Sequence, residues 1–300
     1  MDRLSCMRIF VAVGEAQGFS AAAKRLGLSP PVVTRAVATL EQQLEVKLLQ
    51  RTTRIVRLTD AGTRYLVDCR RLLAEIADAE ESLSGEGKEL RGPLAITASA
   101  MFGRLFVAPL LLEFLERHPK VNARAVFADR VLDLIEEGLD VGVRIARLTD
   151  ASFTAIRVGS VKSVVVASPE YLKKHGTPRA PADLAEHPAF VFSEDRAAPA
   201  WLFESGKQRI TVRPKARLLV NGSEVAIQAA VEGAGITRAL SYMVAGAVNS
   251  GQLRVILRPF ELEPIPIHVI HREGRNATLR VRAFVDFLVE ALRNNPLLKT

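Results

Sequence analysis

The chain has 300 residues, 48% of them hydrophobic and 25% charged, a balance that excludes disordered and fibrous classes and is too long for one ordinary core. No run approaches the roughly 18 apolar residues of a membrane span, and the start at Met1-Asp2-Arg3-Leu4 lacks an apolar secretory core, so a cytoplasmic protein with no membrane partner is expected. The formal charge of +8 and a pI near 9.8 favour polyanionic or acidic partners, while two cysteines, Cys6 and Cys69, at no metal-site spacing fit a reducing compartment, no metal and no cofactor.

Taken in chain order, Leu4, Met7, Phe10, Val11 and Gly14 recur at helical spacing and predict a first amphipathic helix over about 2–15. Phe19 and Ser20 stand where a hydrophobic staple and an N-cap would stand, ahead of the helix-favouring Ala21 to Leu26. Gly27 closes that short helix, and Ser29-Pro30-Pro31 opens a third. In the third helix Val33, Val37, Leu40 and Leu44 form a stripe for the core, leaving Pro30, Thr34, Arg35 and Ala38 outward; a Thr-Arg pair near a helix N-terminus suits a DNA groove. No acidic residue falls between Glu15 and Glu41, whereas Lys24, Arg25 and Arg35 do. Val46 to Thr59 reads as two short strands around a basic tip, a wing whose Arg51 and Arg54 could reach phosphates or a narrow minor groove.

From Thr59 or Asp60 a long helix is expected to run to about Leu83, before Ser84-Gly85-Glu86-Gly87. Tyr65, Cys69, Leu72, Ile76, Ala79 and Leu83 fall at alternating spacings of four and three, a coiled-coil seam. The seam favours self-association over packing on the chain's own core, because a dimer can set two recognition helices about one DNA turn apart. Cys69 reads as a small buried hydrophobe without a redox role.

Beyond Gly92-Pro93 the pattern alternates: a strand over 94–97, a helix near 106–117, a strand over 121–127, a helix over 131–137 and a strand over 141–145. A second set follows at Val164 to Val166, Tyr171 to Lys174, Leu218 to Val220 and a helix from Ser223, and Leu279 to Leu292 forms the last helix; together they make an α/β sheet domain.

Phe19-Ser20-Ala21-Ala22-Ala23, Leu26, Leu28-Ser29, Arg35, Leu40-Glu41, Leu44, Leu48, Arg51-Thr52 and Leu58-Thr59-Asp60-Ala61-Gly62, in this order and spacing, closely resemble the LysR-type transcriptional regulators. The resemblance implies a multidomain α plus α/β chain: a winged helix-turn-helix over 1–59, a linker helix and hinge over 60–91, and a two-lobed, periplasmic-binding-protein-like domain over 92–300. Lobe I would cover about 92–160 and 268–300 and lobe II about 161–267, with crossings near Ser160 and His268. The expected DNA-facing set is Ser20, Ser29, Pro30, Pro31, Thr34, Arg35, Arg51, Thr52 and Arg54. Members commonly carry glutamine where this chain has Pro30, and polar or basic residues where it has Ala36, Ala38 and Thr39, so base readout should be sparse.

Carried over by position, the effector-lining candidates are Ser99, Ala100, Met101, Phe127, Ala128, Arg144, Arg147 and Thr237. Ser99 and Thr237 could hydrogen-bond a ligand and Arg144 could pair with a carboxylate, or they could serve as strand-end caps and a surface ion pair. The basic balance points to a small anionic effector. Expected partners are duplex DNA, that effector, a second copy of the chain as dimer or dimer of dimers, and RNA polymerase. Two rivals remain: a solute-binding protein, disfavoured by the DNA-binding-like start, and an enzyme, for which no nucleophile elbow, metalloprotease or phosphate-loop motif is present. Gly233-Ala234-Gly235-Ile236-Thr237-Arg238 imitates half a dinucleotide fingerprint but reads as a lobe turn.

Overall fold

Local capping and apolar stripes set the N-terminal helices. In this computed structural model, residues 1–51, 56–82, 89–148, 153–195, 197–271 and 277–299 are described, with backbone only at 51, 71, 74, 75 and 77–82. The chain divides into two units, Met1–Pro93 and Leu94–Thr300.

In the first unit, Asp2 caps helix α1 (Arg3–Ala16) by accepting the Ser5 amide at 2.8 Å. Helix α2 (Phe19–Leu26) begins one residue before the cap expected at Ser20: Gly18 is the extended flanking residue, its carbonyl taking the Ala22 amide, and Ser20 lies exposed inside the first turn. Helix α3 (Pro30–Leu44) follows Ser29, whose extended backbone and carbonyl start the helix while Pro30 and Pro31 occupy positions that need no amide. Strands β1 (Leu49–Arg51) and β2 (Val56–Leu58) pair antiparallel, and helix α4 (Asp60–Ser82) leaves them. Phe10, Val13, Val33, Val37, Leu40 and Leu48 are buried together in one core. The expected wing tip, including Thr52 and Arg54, lies outside the described residues, as does Leu83.

The second unit holds two five-stranded sheets. Strands β3 (Arg91–Ala98), β4 (Lys120–Phe127), β5 (Val141–Ile145) and β6 (Thr154–Val161), with the returning β14 (Ile265–His271), form lobe I in the order β4-β3-β5-β14-β6. Strands β7 (Ser163–Ala167), β8 (Pro188–Phe192), β11 (Lys215–Val220), β12 (Ile236–Leu240) and β13 (Arg254–Ile256) form lobe II in the order β11-β8-β12-β7-β13; β9 (Trp201–Ser205) and β10 (Gln208–Val212) make a separate hairpin. The chain therefore crosses between the lobes at Lys162 and again between Ile256 and Ile265. His268 is not at a crossing: it sits within β14, opposite Arg144.

Helices cover these sheets. Helix α5 (Ala100–Phe102) runs through a π-helical turn (Gly103–Val107) into α6 (Ala108–Arg117), so the helix expected at 106–117 starts earlier. A Cβ on Gly103 would lie 2.4 Å from the Phe127 ring, which explains a glycine at that close approach. Helix α7 (Pro169–His175) contains the Tyr171 to Lys174 stretch, and α8 (Ser223–Val231), α9 (Ser241–Asn249) and α10 (Leu279–Asn294) complete the set. The helix expected over 131–137 is absent: Asp133 Oδ1 accepts the amides of Ile135 and Glu136, a local turn that competes with helix, and Val131 is 80% exposed with no face to pack.

Candidate functional site

The exposed side of α3 presents Pro30, Pro31, Arg35 and Ala38, with Thr34 half-buried; Ser29 beside it is also exposed. Of the departures from the family pattern, Ala36 does not face DNA: it is buried with Val33 and Val37, since α3 leans on α1 along that edge. The Thr39 hydroxyl donates to the Arg35 carbonyl at 2.9 Å and is occupied within its helix. The Arg35 side chain makes no hydrogen bond or ion pair among the described residues, unlike that of Arg25, which reaches Glu15 at 2.7 Å. Gln50 and Arg57 face out across the β1–β2 pair; Arg51 is placed by its backbone alone.

The position of the wing against α3 depends on a buried carboxylate that the sequence reading quoted but gave no role. Glu41, 4% exposed, accepts the amides of Leu48 at 3.0 Å and Leu49 at 3.1 Å through Oε1, and the Lys47 ammonium at 2.8 Å through Oε2. Burial opposes its charge, but the Lys47 bond and the two amides outweigh it and hold the carboxyl below its ordinary value. Thr59 completes the joint: its amide donates to the Leu48 carbonyl, its hydroxyl donates to Lys47 and accepts the Gly62 amide. A Cβ at Gly62 would sit 1.9 Å from the Leu48 carbonyl oxygen, so α4 can cross the wing only where there is no side chain.

The seam expected on α4 is partly spent inside this unit. Cys69 is fully buried in the unit's own core, Tyr65 and Leu72 pack against that core, and Phe10 and Tyr65 rings lie 5.8 Å apart. Burial pushes the Cys69 thiol up to about 11, the opposite of a reactive thiolate. Cys69 is therefore withdrawn from the dimer face, because the unit's own core encloses it, while Tyr65 stays half-buried beside Phe10. Ile76 is half-buried, and the side chain of Ala79 and all of Leu83 lie outside what is described.

Between the lobes of the second unit lies a cleft of about 870 Å³. Ser99, Ala128, Arg144 and Arg147 line it; Ala100, Met101, Phe127 and Thr237 do not. Met101 is buried in the lobe, Phe127 is the ring under Gly103, and the Ala100 amide donates to Asp129 at 3.0 Å. Thr237, 0% exposed, donates its hydroxyl to the Phe190 carbonyl at 2.7 Å and ties β12 to β8. Its neighbour Arg238 faces the cleft instead, with Asp129, Arg130, Asp133, Ser163 and Ser223, none of which the sequence assigns to the cleft. Burial pushes the Asp129 carboxyl up, and Glu224 adds to this. Arg144 donates to the Leu132 carbonyl; burial pulls its pKa down while Asp133 supports its charge.

A reading head of exposed helix, a wing joined to it, and a separate two-lobed cleft also match known sequences over nearly the whole chain. The bacterial regulatory helix-turn-helix protein, lysR family, matches residues 4–63, and the LysR substrate binding domain matches residues 87–293. The chain belongs to the LysR family of transcription regulators. It is similar to an HTH-type transcriptional repressor of Pseudomonas aeruginosa strain UCBPP-PA14, 34% identical over 99% of this chain and 94% of that protein. It is equally similar in extent to the HTH-type transcriptional activator AaeR of Escherichia coli K12, 32% identical over 97% of this chain and 94% of that one. Among solved structures, CrgA, a LysR-type transcriptional regulator from Neisseria meningitidis, covers 97% of this chain and 99% of its own at 30% identity and a TM-score of 0.62.

This LysR regulator accordingly pairs a helix-turn-helix DNA-binding domain with an effector-binding domain, and regulators of this family bind DNA and small-molecule effectors and form oligomers. The named relatives are regulators rather than enzymes or solute carriers. No described helix is long and apolar enough to cross a membrane.

Proposed function

We propose that this regulator binds duplex promoter DNA as a homodimer or dimer of dimers and that a small anionic effector in the lobe cleft adjusts that binding. The observation that carries the first half is Arg35: exposed, unpaired among the described residues, and set near the N-terminus of a helix whose opposite side is buried. An arginine in this state can donate a bidentate pair to a guanine edge, while Thr34 makes a shorter polar or methyl contact. Pro30, Pro31 and Ala38 offer shape rather than hydrogen bonds. Ser20, Ser29, Arg57 and the basic wing tip with Arg51, Thr52 and Arg54 supply phosphate contacts. Dimer contacts fall on α4 beyond Cys69, together with the exposed Val67. Four arginines and two aspartates line the cleft, which supports an anionic effector. The bound regulator works in the cytoplasm, with RNA polymerase as its further partner.

A gel-shift titration with promoter duplex checks this. Binding should weaken steeply as salt rises, because several cations displace counterions. Absence of any duplex binding at low salt overturns the proposal.

A further inference from the structure

Lobe II presents to the cleft a guanidinium that no carboxylate among the described residues neutralises. Arg238 stands on β12, between β7 and β8, and is half-buried. Its Nε donates to the Ser163 hydroxyl at 2.7 Å, and its guanidinium carbon lies 5.6 Å over the Phe203 ring. These contacts fix the arm and leave both terminal amino groups without a hydrogen-bond or ion-pair partner among the described residues. Leaving a charge partly desolvated and unpaired is costly unless another molecule completes it.

The other cleft arginines are paired, held by a carbonyl or open to water. Arg130 pairs with Glu137 at 3.3 Å, and Arg144 is held by the Leu132 carbonyl with Asp133 nearby; Arg147 stands in open solvent. At the start of α8, Ser223 also lines the cleft; it is 5% exposed and its hydroxyl has no partner among the described residues. Across the mouth, Val131 and Ile135 expose 80% and 57% of themselves although both are apolar. A half-buried cation without a counter-ion among the described residues, the Ser99 and Ser223 hydroxyls without a partner among them, and an apolar rim describe a ligand with a negative group on an apolar body.

We propose that Arg238 anchors the effector, a monocarboxylate whose planar head takes the two terminal amino groups and the Ser223 hydroxyl while its apolar body lies against Val131 and Ile135. This rests on the reading that the cleft takes an anionic effector. The planar fork of arginine matches a carboxylate in two parallel bonds, which a lysine cannot reproduce.

The test uses the full-length protein, with calorimetry and thermal melts against benzoate and hexanoate, their neutral amides benzamide and hexanamide, and inorganic sulfate, all at constant ionic strength. At least one carboxylate should bind about 10- to 100-fold more tightly than its own amide, the difference expected for losing charge-assisted bonds. Arg238→Met should lose that preference, Arg238→Lys should keep part of it, and Ser223→Ala should weaken it by a smaller factor. Without ligand, Arg238→Met should melt no lower than the parent, because it removes an unpaired charge; a lower melting point assigns Arg238 to the lobe's own packing and overturns the anchor. Amides that bind as well as their acids overturn the anionic reading itself. Carboxylates that bind the parent and Arg238→Met alike, but fail on Arg144→Gln, overturn only the anchor. Sulfate alone binding, or no carboxylate binding at millimolar concentration, overturns the monocarboxylate class.

Discussion

Glu41 in the DNA-binding unit and Arg238 in the cleft are both charges taken out of water, and they have opposite surroundings. Glu41 has two backbone amides and an ammonium from its own chain, all within 3.1 Å. Arg238 has one serine hydroxyl and a ring face, and no counter-ion among the described residues. A buried charge whose partners are all supplied internally joins two elements; one whose partners are missing leaves work for a ligand. The difference separates a part of the molecule that is built to stay in one shape from a part that is built to be completed.

The strongest way to break that contrast lies beside Glu41. Gly62→Ala would drive a Cβ into the Leu48 carbonyl at 1.9 Å, and since both atoms belong to fixed backbone the wing must separate from α4. A loss of about 3 kcal/mol or more in urea unfolding, with DNA binding abolished, is expected. A variant that melts within a degree of the parent would show the joint to be loose.

Glu41→Gln comes next, with an expected loss of about 2 kcal/mol at neutral pH, because two amides and Lys47 exchange a carboxylate for a neutral oxygen or a clashing amide. The folded carboxyl lies below its ordinary value while the unfolded one titrates near about 4.3. The unfolded chain therefore takes up the proton first. The contribution is fully present above the unfolded pKa and fades as pH falls through the folded one. Urea midpoints taken from neutral to acid pH should converge for parent and variant, and a constant gap would remove the charge from the account.

Arg35→Ala tests a third kind of charge, one left in water for a partner that is not a small molecule. Its loss should cost about 1 to 3 kcal/mol on the best operator and little on random duplex, whereas Arg57→Ala should weaken both alike. Equal losses for Arg35→Ala on both duplexes would reduce it to a phosphate contact.

What could be read ahead of the structure follows the range over which each feature is decided. Helices α1 to α4 and the wing strands depend on local periodicity, prolines and glycines, and these are visible in the sequence. Ala36 and Glu41 are decided by what folds back on α3: helix α1 covers one and the wing amides reach the other. The stripe of Tyr65 and Cys69 has the spacing of a dimer seam, but the same spacing serves a single chain's core, and α1 fills it first. In the cleft, Asp133 breaks a pattern that otherwise reads as helix. Strand β12 is the sharpest case. It is enclosed by β7 and β8, so polar and apolar residues do not alternate along it, and its phase cannot be taken from Thr237 and Arg238 alone. An arginine inside an otherwise uncharged strand is the available signal.

That one-residue phase makes the smallest and most discriminating prediction. Thr237→Val keeps the shape of the side chain but leaves the Phe190 carbonyl without its donor, which should cost about 1 kcal/mol of stability and shift the urea midpoint slightly. Because Thr237 points away from the cleft, carboxylate binding measured per folded molecule should stay at the parent level, while Arg238→Met, one position along the same strand, shows the reverse: stability kept and binding lost. If Thr237→Val instead reduces binding as strongly as Arg238→Met, the two side chains act together. The cleft would then owe its affinity to the rigidity of β12 against β8 rather than to one unpaired charge.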